Sequence, residues 1–325
     1  MSLLNVPAPP APSNNPFALS RFLPQAPSLA TVLPGVERLL AIGDLHGDLD
    51  KARRAFRLAG LVDDRDRWAG GAATAVQVGD ILDRGDAEIQ LFFWLERLQR
   101  QAAAAGGALH VLNGNHETMS AARDFRFATA GGLDEFSRFA RAHALELALK
   151  ARCGCFGADG NTAAAAAAWR GEMREFRRAE GADARYAALR PGTGPLARRF
   201  LAPHPLVLQV GATVFAHGGV LPDAEACDCA GLAESLARIP GAARMVVGHT
   251  IQQEGINSAC GGRVFRVDVG LSRGCGDGLP AVLEIRNDSV MQRLMEAPAP
   301  SPLPQGLGAQ EAAEQLGRQP VPVPA

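Results

Sequence analysis

The sequence predicts an α/β protein in which two sheets pack together between outer helices, a four-layer αββα sandwich with a helical insertion. Three observations support this fold class. Apolar runs alternate with helical patterns in the first third of the chain, helical patterns alone fill the middle, and closely spaced strand patterns follow. Hydrophobic residues make up 47% of the 325 residues and charged residues 21%, a normal balance for a large buried core.

Three apolar runs of strand length in the first third each end in a glycine-containing turn. They are Arg38–Ile42, Thr74–Val78 and Ala108–Leu112. The segments 49–61 and 87–105 between them have helical patterns. Alternation of strands with helices predicts parallel pairing at the centre of the domain.

The middle of the chain, from Ser120 to about Phe200, has helical patterns and no clear strand. Segment 135–150 is its best amphipathic helix. We expect a helical insertion here, placed as a cap over the site. The insertion holds the arginines Arg170, Arg174, Arg177, Arg178 and Arg185. We expect most of them on a solvated helix face; a basic patch that faces substrate is the alternative.

Strand patterns become dense after the insertion. The predicted strands are Leu206–Val210, Thr213–His217, Met245–Gly248, Arg263–Val269 and Ala281–Arg286. Close spacing without interposed helices predicts a second sheet, mixed or antiparallel. Two packed sheets with helices outside complete the four layers.

The two ends of the chain differ in composition from the rest. Residues 1–35 contain no acidic residue and many Pro, Ala and Ser, and residues 296–325 are rich in Pro and Ala. We expect 1–35 to be a disordered or targeting extension, 36–295 the folded domain with its insertion at about 120–200, and 296–325 a disordered tail. The expected location is the cytoplasm; if the acid-poor N-terminus is a transit peptide, the alternative is the plastid.

Charge and cysteine content argue against several classes of protein. A net charge of −1 gives no sign of binding to nucleic acid or to an anionic membrane, and no run approaches the ~20 apolar residues of a membrane span. Six cysteines are too few for a secreted disulfide scaffold of this length. Four of them form two Cys-x-Cys pairs, 153/155 and 227/229, which we interpret as reduced thiols; a redox-sensitive bridge or a metal clip is the alternative.

Side chains able to bind metal follow five of the predicted strands. They are Asp44, His46, Asp80, Asn115, His217 and His249. Because loops at the carboxyl ends of strands meet in one crevice, these side chains should converge. The set suits two divalent transition metals; we expect manganese, with iron or zinc as alternatives. Two ions that share a carboxylate can clamp the attacking and leaving oxygens of a phosphoryl displacement.

Five short motifs surround these residues in a recognisable order. They are GDLHG at 43–47, GDILDRG at 79–85, GNHE at 114–117, HGG at 217–219 and GHT at 248–250. Together they resemble the signature of the phosphoprotein phosphatases in the calcineurin-like metallophosphoesterase superfamily. The spacing, the helical insertion and the segments 124–127 and 268–272 are similar to those of the Shewanella-like protein phosphatases. The resemblance covers roughly residues 36–295.

The resemblance implies how the metal-binding residues divide between two ions. Asp44 and His46 would bind the first ion, and Asp80 would bridge both. The remaining residues would bind the second ion: Asn115, His217 and His249. The other histidines lie outside the motifs and are expected to be structural: His110, His143 and His204.

The resemblance also implies the catalytic residues. His116 would be the general acid for the leaving oxygen, oriented by Asp83. Arg84 would bind the phosphate in a bidentate grip, and Asn115 would contribute to the same subsite. The nucleophile would be a metal-bound hydroxide that attacks phosphorus directly. The larger eukaryotic members have a second phosphate-binding arginine, for which four candidates remain open here: Arg126, Arg238, Arg244 and Arg273.

We expect a phosphomonoesterase that acts on phosphotyrosine or phosphoserine/threonine in a phosphoprotein or phosphopeptide. The first alternative is a dinucleoside polyphosphate hydrolase of the same superfamily, but Asp83, Arg84 and Glu117 favour a protein phosphatase by resemblance. The second alternative is an inactive binding module, against which the complete ligand set and His116 argue.

Overall fold

Two sheets and their flanking helices build the part of the chain that the computed structural model describes, residues 30–152, 163–219, 229–296 and 318–321. The strands are β1 Val32–Leu33, β2 Arg38–Ile42, β3 Thr74–Gln77, β4 Ala108–Val111, β5 Val207–Val210, β6 Thr213–Ala216, β7 Arg244–Val247, β8 Asn257–Ala259, β9 Val264–Arg266, β10 Ala281–Arg286, β11 Val290–Met295 and β12 Arg318–Pro320. The α-helices are α1 Leu49–Leu58, α2 Glu88–Ala104, α3 Asn115–Ala121, α4 Ala130–Arg152, α5 Ala163–Arg178, α6 Gly181–Leu189 and α7 Cys229–Ala237, with a short π-helix at Ala197–Leu201.

The strands form two mixed six-stranded sheets. The first has the order β12-β11-β10-β2-β3-β4, in which β2, β3 and β4 run parallel. The second has the order β1-β5-β6-β7-β9-β8, in which β6, β7 and β9 run parallel. Parallel neighbours need crossover connections, and α1 and α2 provide them in the first sheet. This architecture confirms the predicted α/β fold with mixed sheets.

The apolar core divides into the layers of a sandwich. Successive residues of a strand point to opposite faces. Leu40 of β2 accordingly packs in the cluster that contains the residues of α1 and α2, whereas its neighbour Leu39 packs in a second cluster with Phe215 of β6. A third cluster joins Val214 of β6 to Leu232 of α7. The order is therefore helices, first sheet, second sheet, helix.

The predicted insertion contains helices and no strand among its described residues; its helices are α4, α5, α6 and the π-helix. Three buried phenylalanines, Phe136, Phe176 and Phe200, join it to the cluster beneath α1 and α2. Helix α4 contacts α2, and α6 contacts α3, which begins at the third motif. The insertion is thus packed against the elements that carry the site. Among the described helices, none has the length and apolar character that crossing a bilayer requires.

Two short strands lie outside the predicted boundaries 36–295. Strand β1 pairs with β5, and β12 pairs with β11. Composition indicated a disordered tail from 296 onward, but β11 offers an open edge, and residues 318–320 pair with it. Val321, 7% exposed, packs in the cluster between the sheets. Residues 1–29, 297–317 and 322–325 of the predicted extension and tail lie outside the described residues.

A disulfide joins Cys229, at the start of α7, to Cys260, 31 residues away in the turn before β9. The interpretation of Cys229 as a reduced thiol is therefore wrong, and its partner is not its Cys-x-Cys neighbour. Sequence spacing could not show this pairing because the two residues meet only when β8 and β9 fold against α7. Cys275 is free. The other cysteines lie outside the described residues: Cys153, Cys155 and Cys227.

Candidate metal centre

The six predicted ligands lie just beyond the carboxyl ends of five strands. Asp44 and His46 follow β2, and Asp80 follows β3. Asn115 is the first residue of α3 after β4, while His217 follows β6 and His249 follows β7. The fold therefore brings both sheets to one crevice, as expected for strands that run in the same direction.

Asp80 lies at the centre of this crevice and is 1% exposed. Its Oδ2 is 3.7 Å from His46 Nε2, 3.8 Å from His116 Nε2 and 3.1 Å from His217 Nε2. Two groups of possible ligand atoms share this carboxylate, each spread over no more than 4.8 Å: one with His46 and His116, the other with His217 and His249.

The two remaining predicted ligands adjoin these groups. Asn115 Oδ1 is 2.9 Å from His217 Nε2 and 2.8 Å from His249 Nδ1. Asp44 Oδ2 is 3.9 Å from His46 Nε2, and its other oxygen is 3.9 Å from His217 Nδ1. All six predicted residues thus lie together.

Backbone carbonyls orient two of the imidazole rings. His46 Nδ1 is 2.9 Å from the Leu82 carbonyl oxygen, and His217 Nδ1 is 3.1 Å from that of Val78. Because a carbonyl only accepts, each Nδ1 carries a proton, which leaves Nε2 as the nitrogen that could bind a metal ion. Burial lowers the pKa of His46 to about 4, so this ring is neutral near pH 7, as a metal ligand must be.

Several carboxylates share the buried crevice. Burial raises the pKa of Asp44 well above its usual range, and the charges of Asp268 and Asp80 raise it further. Burial also raises the pKa of Glu117 and of Asp268, with the charge of Asp80 adding to both. Buried anions of this kind are stable only when cations neutralise them. Carboxylate, amide and imidazole donors fit divalent transition metals, so the residues present suit such ions.

The ligand loops adopt backbone conformations that are rare for residues other than glycine. The φ angles of His46, Asp80 and His249 are 42°, 55° and 67°. Such left-handed conformations cost about 1 kcal/mol or more each and persist where surrounding contacts enforce them. Glycines provide room beside them, since a Cβ on Gly114 would lie 2.1 Å from Asp80 Oδ1 and one on Gly248 would lie 2.3 Å from Asp44 Oδ1.

Glu117 holds the strained turn around Asp80. Its Oε2 accepts the N–H groups of Asp80 at 2.9 Å and Gly114 at 2.7 Å. Its Oε1 accepts those of Ile81 at 2.8 Å and Leu82 at 3.1 Å. One buried carboxylate thereby fixes the turn that presents the shared ligand.

The predicted general acid and its partner form a close pair. His116 Nδ1 is 2.7 Å from Asp83 Oδ2, and both side chains are buried. The other ring nitrogen of His116 faces Asp80. The side chain of Phe127 lies beside the ring of His116, at 5.3 Å between centroids, and beneath the Arg84 guanidinium at 5.0 Å.

Arg84 and Gly47, the residue after the predicted ligand His46, line a cavity of about 570 Å³, and none of the six predicted ligands lines it. Of the four candidates for a second phosphate-binding arginine, Arg273 lines the same cavity. All four candidates have an acidic neighbour: Arg126 has Asp124, Arg238 has Glu234, Arg244 has Asp288, and Arg273 Nη1 lies 4.0 Å from Asp50 Oδ2. Arg84 Nη1 also lies 3.5 Å from Cys275 Sγ, and burial raises the pKa of that thiol to about 11.

The histidines expected to be structural lie outside the ligand groups. His143 Nε2 is 3.1 Å from Glu172 Oε1, and its ring stacks on Phe139. Burial lowers the pKa of His110 and lowers that of His204 to about 4. The prediction that these three histidines are structural residues is unchanged.

Sequence reasoning missed Arg185. We expected most arginines of the insertion on a solvated face, but Arg185 is 0% exposed and contacts the carboxylates of Asp83 and Glu88. The available signal was its position in α6, where the neighbouring residues are mostly alanine and form a buried face. A long cationic side chain such as arginine on a buried helix face needs a buried anionic partner.

Comparison with known proteins agrees with this arrangement. The family model described as Calcineurin-like phosphoesterase matches residues 37–253. The chain belongs to this family. It is a phosphoester hydrolase, and divalent metal ions are the cofactors of the family. The structure of a cold-active protein-tyrosine phosphatase from a psychrophilic Shewanella species is 19% identical, with a TM-score of 0.56 over 82% of this chain and 80% of the other, which shows a shared fold.

Curated relatives confirm the predicted resemblance to the Shewanella-like branch. Shewanella-like protein phosphatase 2 of Arabidopsis thaliana is 42% identical, over 82% of this chain and 81% of its own. Shewanella-like protein phosphatase 1 of Plasmodium berghei is 29% identical over 30% of this chain and 27% of its own.

Proposed function

We propose that this phosphoester hydrolase is a protein phosphatase that uses two transition-metal ions, with manganese as the first choice. The observation that carries the proposal is Asp80, whose Oδ2 lies 3.7 Å from His46 Nε2 and 3.1 Å from His217 Nε2, one proposed ligand of each ion. The pair of His116 and Asp83 beside it supports acid catalysis. The substantial identity to a relative named as a protein phosphatase supports a phosphoprotein substrate.

The ligands divide around the shared carboxylate. Asp44 and His46 would hold one ion together with Asp80. The ligands of the other ion would be Asp80, Asn115, His217 and His249. When bound, the two cations stabilise charge on the phosphoryl oxygens and activate the attacking water.

The remaining residues act on the phosphate and on the leaving group. Arg84 binds phosphoryl oxygens through its planar guanidinium, which Phe127 supports from below. Asn115, which lines a second cavity with His217 and His249, contributes to phosphate binding. His116 gives a proton from Nε2 to the leaving oxygen, while Asp83 accepts the hydrogen bond from Nδ1 and keeps the ring turned towards the reacting atoms.

Substrate comparison tests this function. Matched phosphotyrosine and phosphoserine peptides and a dinucleoside tetraphosphate are assayed with the manganese-loaded protein. We expect kcat/KM to be highest for one of the phosphopeptides, and the preferred peptide identifies the phosphorylated residue that this protein acts on. A higher value for the dinucleotide than for either peptide contradicts the proposal. Asp80→Asn is the inactive reference, and Glu234→Gln, an equivalent acid-to-amide change at an exposed position on α7, is the matched control.

A further inference from the structure

Arg185 connects the helical insertion to the residues of the motifs. It lies in α6, and its side chain is completely buried. Its Nη2 donates to Asp83 Oδ1 at 2.8 Å and to Ser120 Oγ at 3.1 Å, and its Nη1 donates to Glu88 Oε1 at 2.6 Å. One guanidinium therefore bridges two carboxylates that come from the loop after β3 and the start of α2.

Three contacts hold the side chain and backbone of Asp83 in place. Its Oδ1 accepts from Arg185, its Oδ2 faces His116 Nδ1 at 2.7 Å, and its backbone N–H donates to Glu88 Oε2 at 3.1 Å. With both oxygens engaged, the carboxylate cannot rotate without breaking one of these bonds. The orientation of the His116 ring therefore depends on a residue of the insertion.

Aromatic rings hold the guanidinium in its plane. The Arg185 Cζ lies 4.8 Å from the centre of the Phe136 ring and 5.5 Å from that of Phe125. A planar guanidinium stacked in this way can donate hydrogen bonds to two acceptors at fixed angles, which a lysine ammonium cannot do. Burial raises the pKa of Glu88 to about 7, and Arg185 counteracts this rise.

We infer that Arg185 is a positioning residue for the general acid, so that the helical insertion completes the proton-donating pair of His116 and Asp83. The inference rests on the proposed role of His116. A buried ion pair is seldom the most stable choice for a core, because desolvation offsets most of its attraction. Its position against Asp83 and its complete burial fit a role in orienting that carboxylate.

The variants Arg185→Lys and Arg185→Met test the inference, with Arg190→Lys as the control. Arg190 is also in the insertion and makes two hydrogen bonds to Glu175, at 2.9 and 3.1 Å, away from Asp83. Each protein is loaded with manganese, its metal content is measured, and kcat/KM is determined for p-nitrophenyl phosphate and phenyl phosphate. The second substrate has the more basic leaving oxygen and needs protonation more.

A displaced general acid loses part of the ~10²–10⁴-fold that proton transfer contributes. For Arg185→Lys we expect about a 10-fold or larger loss on phenyl phosphate and less than about a 3-fold loss on p-nitrophenyl phosphate, with metal content unchanged. Arg185→Met should show a larger loss with the same selectivity. In a His116→Asn background, Arg185→Lys should add almost nothing, because the group that it positions is gone.

The outcomes separate the inference from the proposed function. Equal losses on both substrates for His116→Asn refute the general acid itself. A selective loss for His116→Asn combined with equal losses for Arg185→Lys refutes the positioning role alone. Additive effects in the double variant, a loss of metal, or failure of Arg185→Lys to fold also overturn the inference, since each indicates a structural role.

Discussion

Glu117 offers a quantitative test of how the fold holds the shared ligand. Its side chain is 1% exposed, and its two oxygens together accept four backbone N–H groups around the turn of Asp80. Glu117→Gln keeps the size of the side chain but replaces one oxygen with an NH2 group. That group faces two N–H donors, so two hydrogen bonds to a charged acceptor are lost.

The expected cost follows from these bonds. A hydrogen bond to a charged group contributes roughly 1.5–3 kcal/mol, so the loss of two removes roughly 3–6 kcal/mol. Burial raises the pKa of Glu117, because the charged carboxylate is costly to bury. The neutral amide of the variant avoids this cost, which offsets part of the loss. We expect the free energy of unfolding to fall by about 3 kcal/mol and Tm by roughly 6–12 °C. Metal affinity should fall by about 10–100-fold because the bridging carboxylate loses its support.

Thermal unfolding with chelator and titration of activity with manganese measure the two effects. Glu135→Gln is the matched control, since Glu135 is also buried and accepts the backbone N–H groups of Ile89 and Gln90 at the start of α2. The control should lose stability but keep its metal affinity. If Glu117→Gln binds manganese as tightly as the parent protein, the proposed support of Asp80 is refuted.

Further variants probe other parts of the site and fold. Asp80→Asn should lower kcat by about 10²-fold or more without unfolding the protein, and near-normal turnover at saturating metal would exclude it as the shared ligand. His116→Asn should lower the rate of phosphoserine hydrolysis by up to ~10²–10⁴-fold and that of p-nitrophenyl phosphate hydrolysis by less. Arg84→Ala should lower kcat/KM by similar factors for both substrates, with a rise in KM. Measuring kcat and KM on both substrates checks the two expectations. Removing residues 318–325 should lower Tm, because β12 and the buried Val321 are lost, but should leave kcat/KM unchanged; a fall in kcat/KM would show that this segment affects the site.

Local patterns were sufficient for the central strands and the ligand set. Arg38–Ile42 and Ala281–Arg286 form strands with the predicted bounds, since their apolar residues fill both faces of a buried sheet. The six predicted ligands meet because each follows a strand end, and strand direction then determines where the loops lie. Strand β11 was missed because only Leu294 in it is buried, so its sequence has no apolar alternation.

Contacts between distant segments could not be predicted from local patterns. Arg185 is 102 residues from Asp83, and in sequence its helix looks like a solvated part of a cap. Likewise, pairing of residues 318–320 depends on the open edge of β11 and not on their own composition. In both cases tertiary contacts decide the structure against the local sequence pattern. For Arg185 the contact is with a buried charge, and for residues 318–320 it is with an unpaired strand edge.

Metal stoichiometry measured together with activity tests the central claim most directly. The chelated protein is titrated with manganese, bound metal is determined by elemental analysis, and hydrolysis of a phosphopeptide is followed at each step. Because Asp80 belongs to both ligand groups, we predict that activity reaches its maximum at two ions per chain and that Asp80→Asn fails to bind the full complement. Full activity with one ion per chain or fewer would contradict the two-metal site.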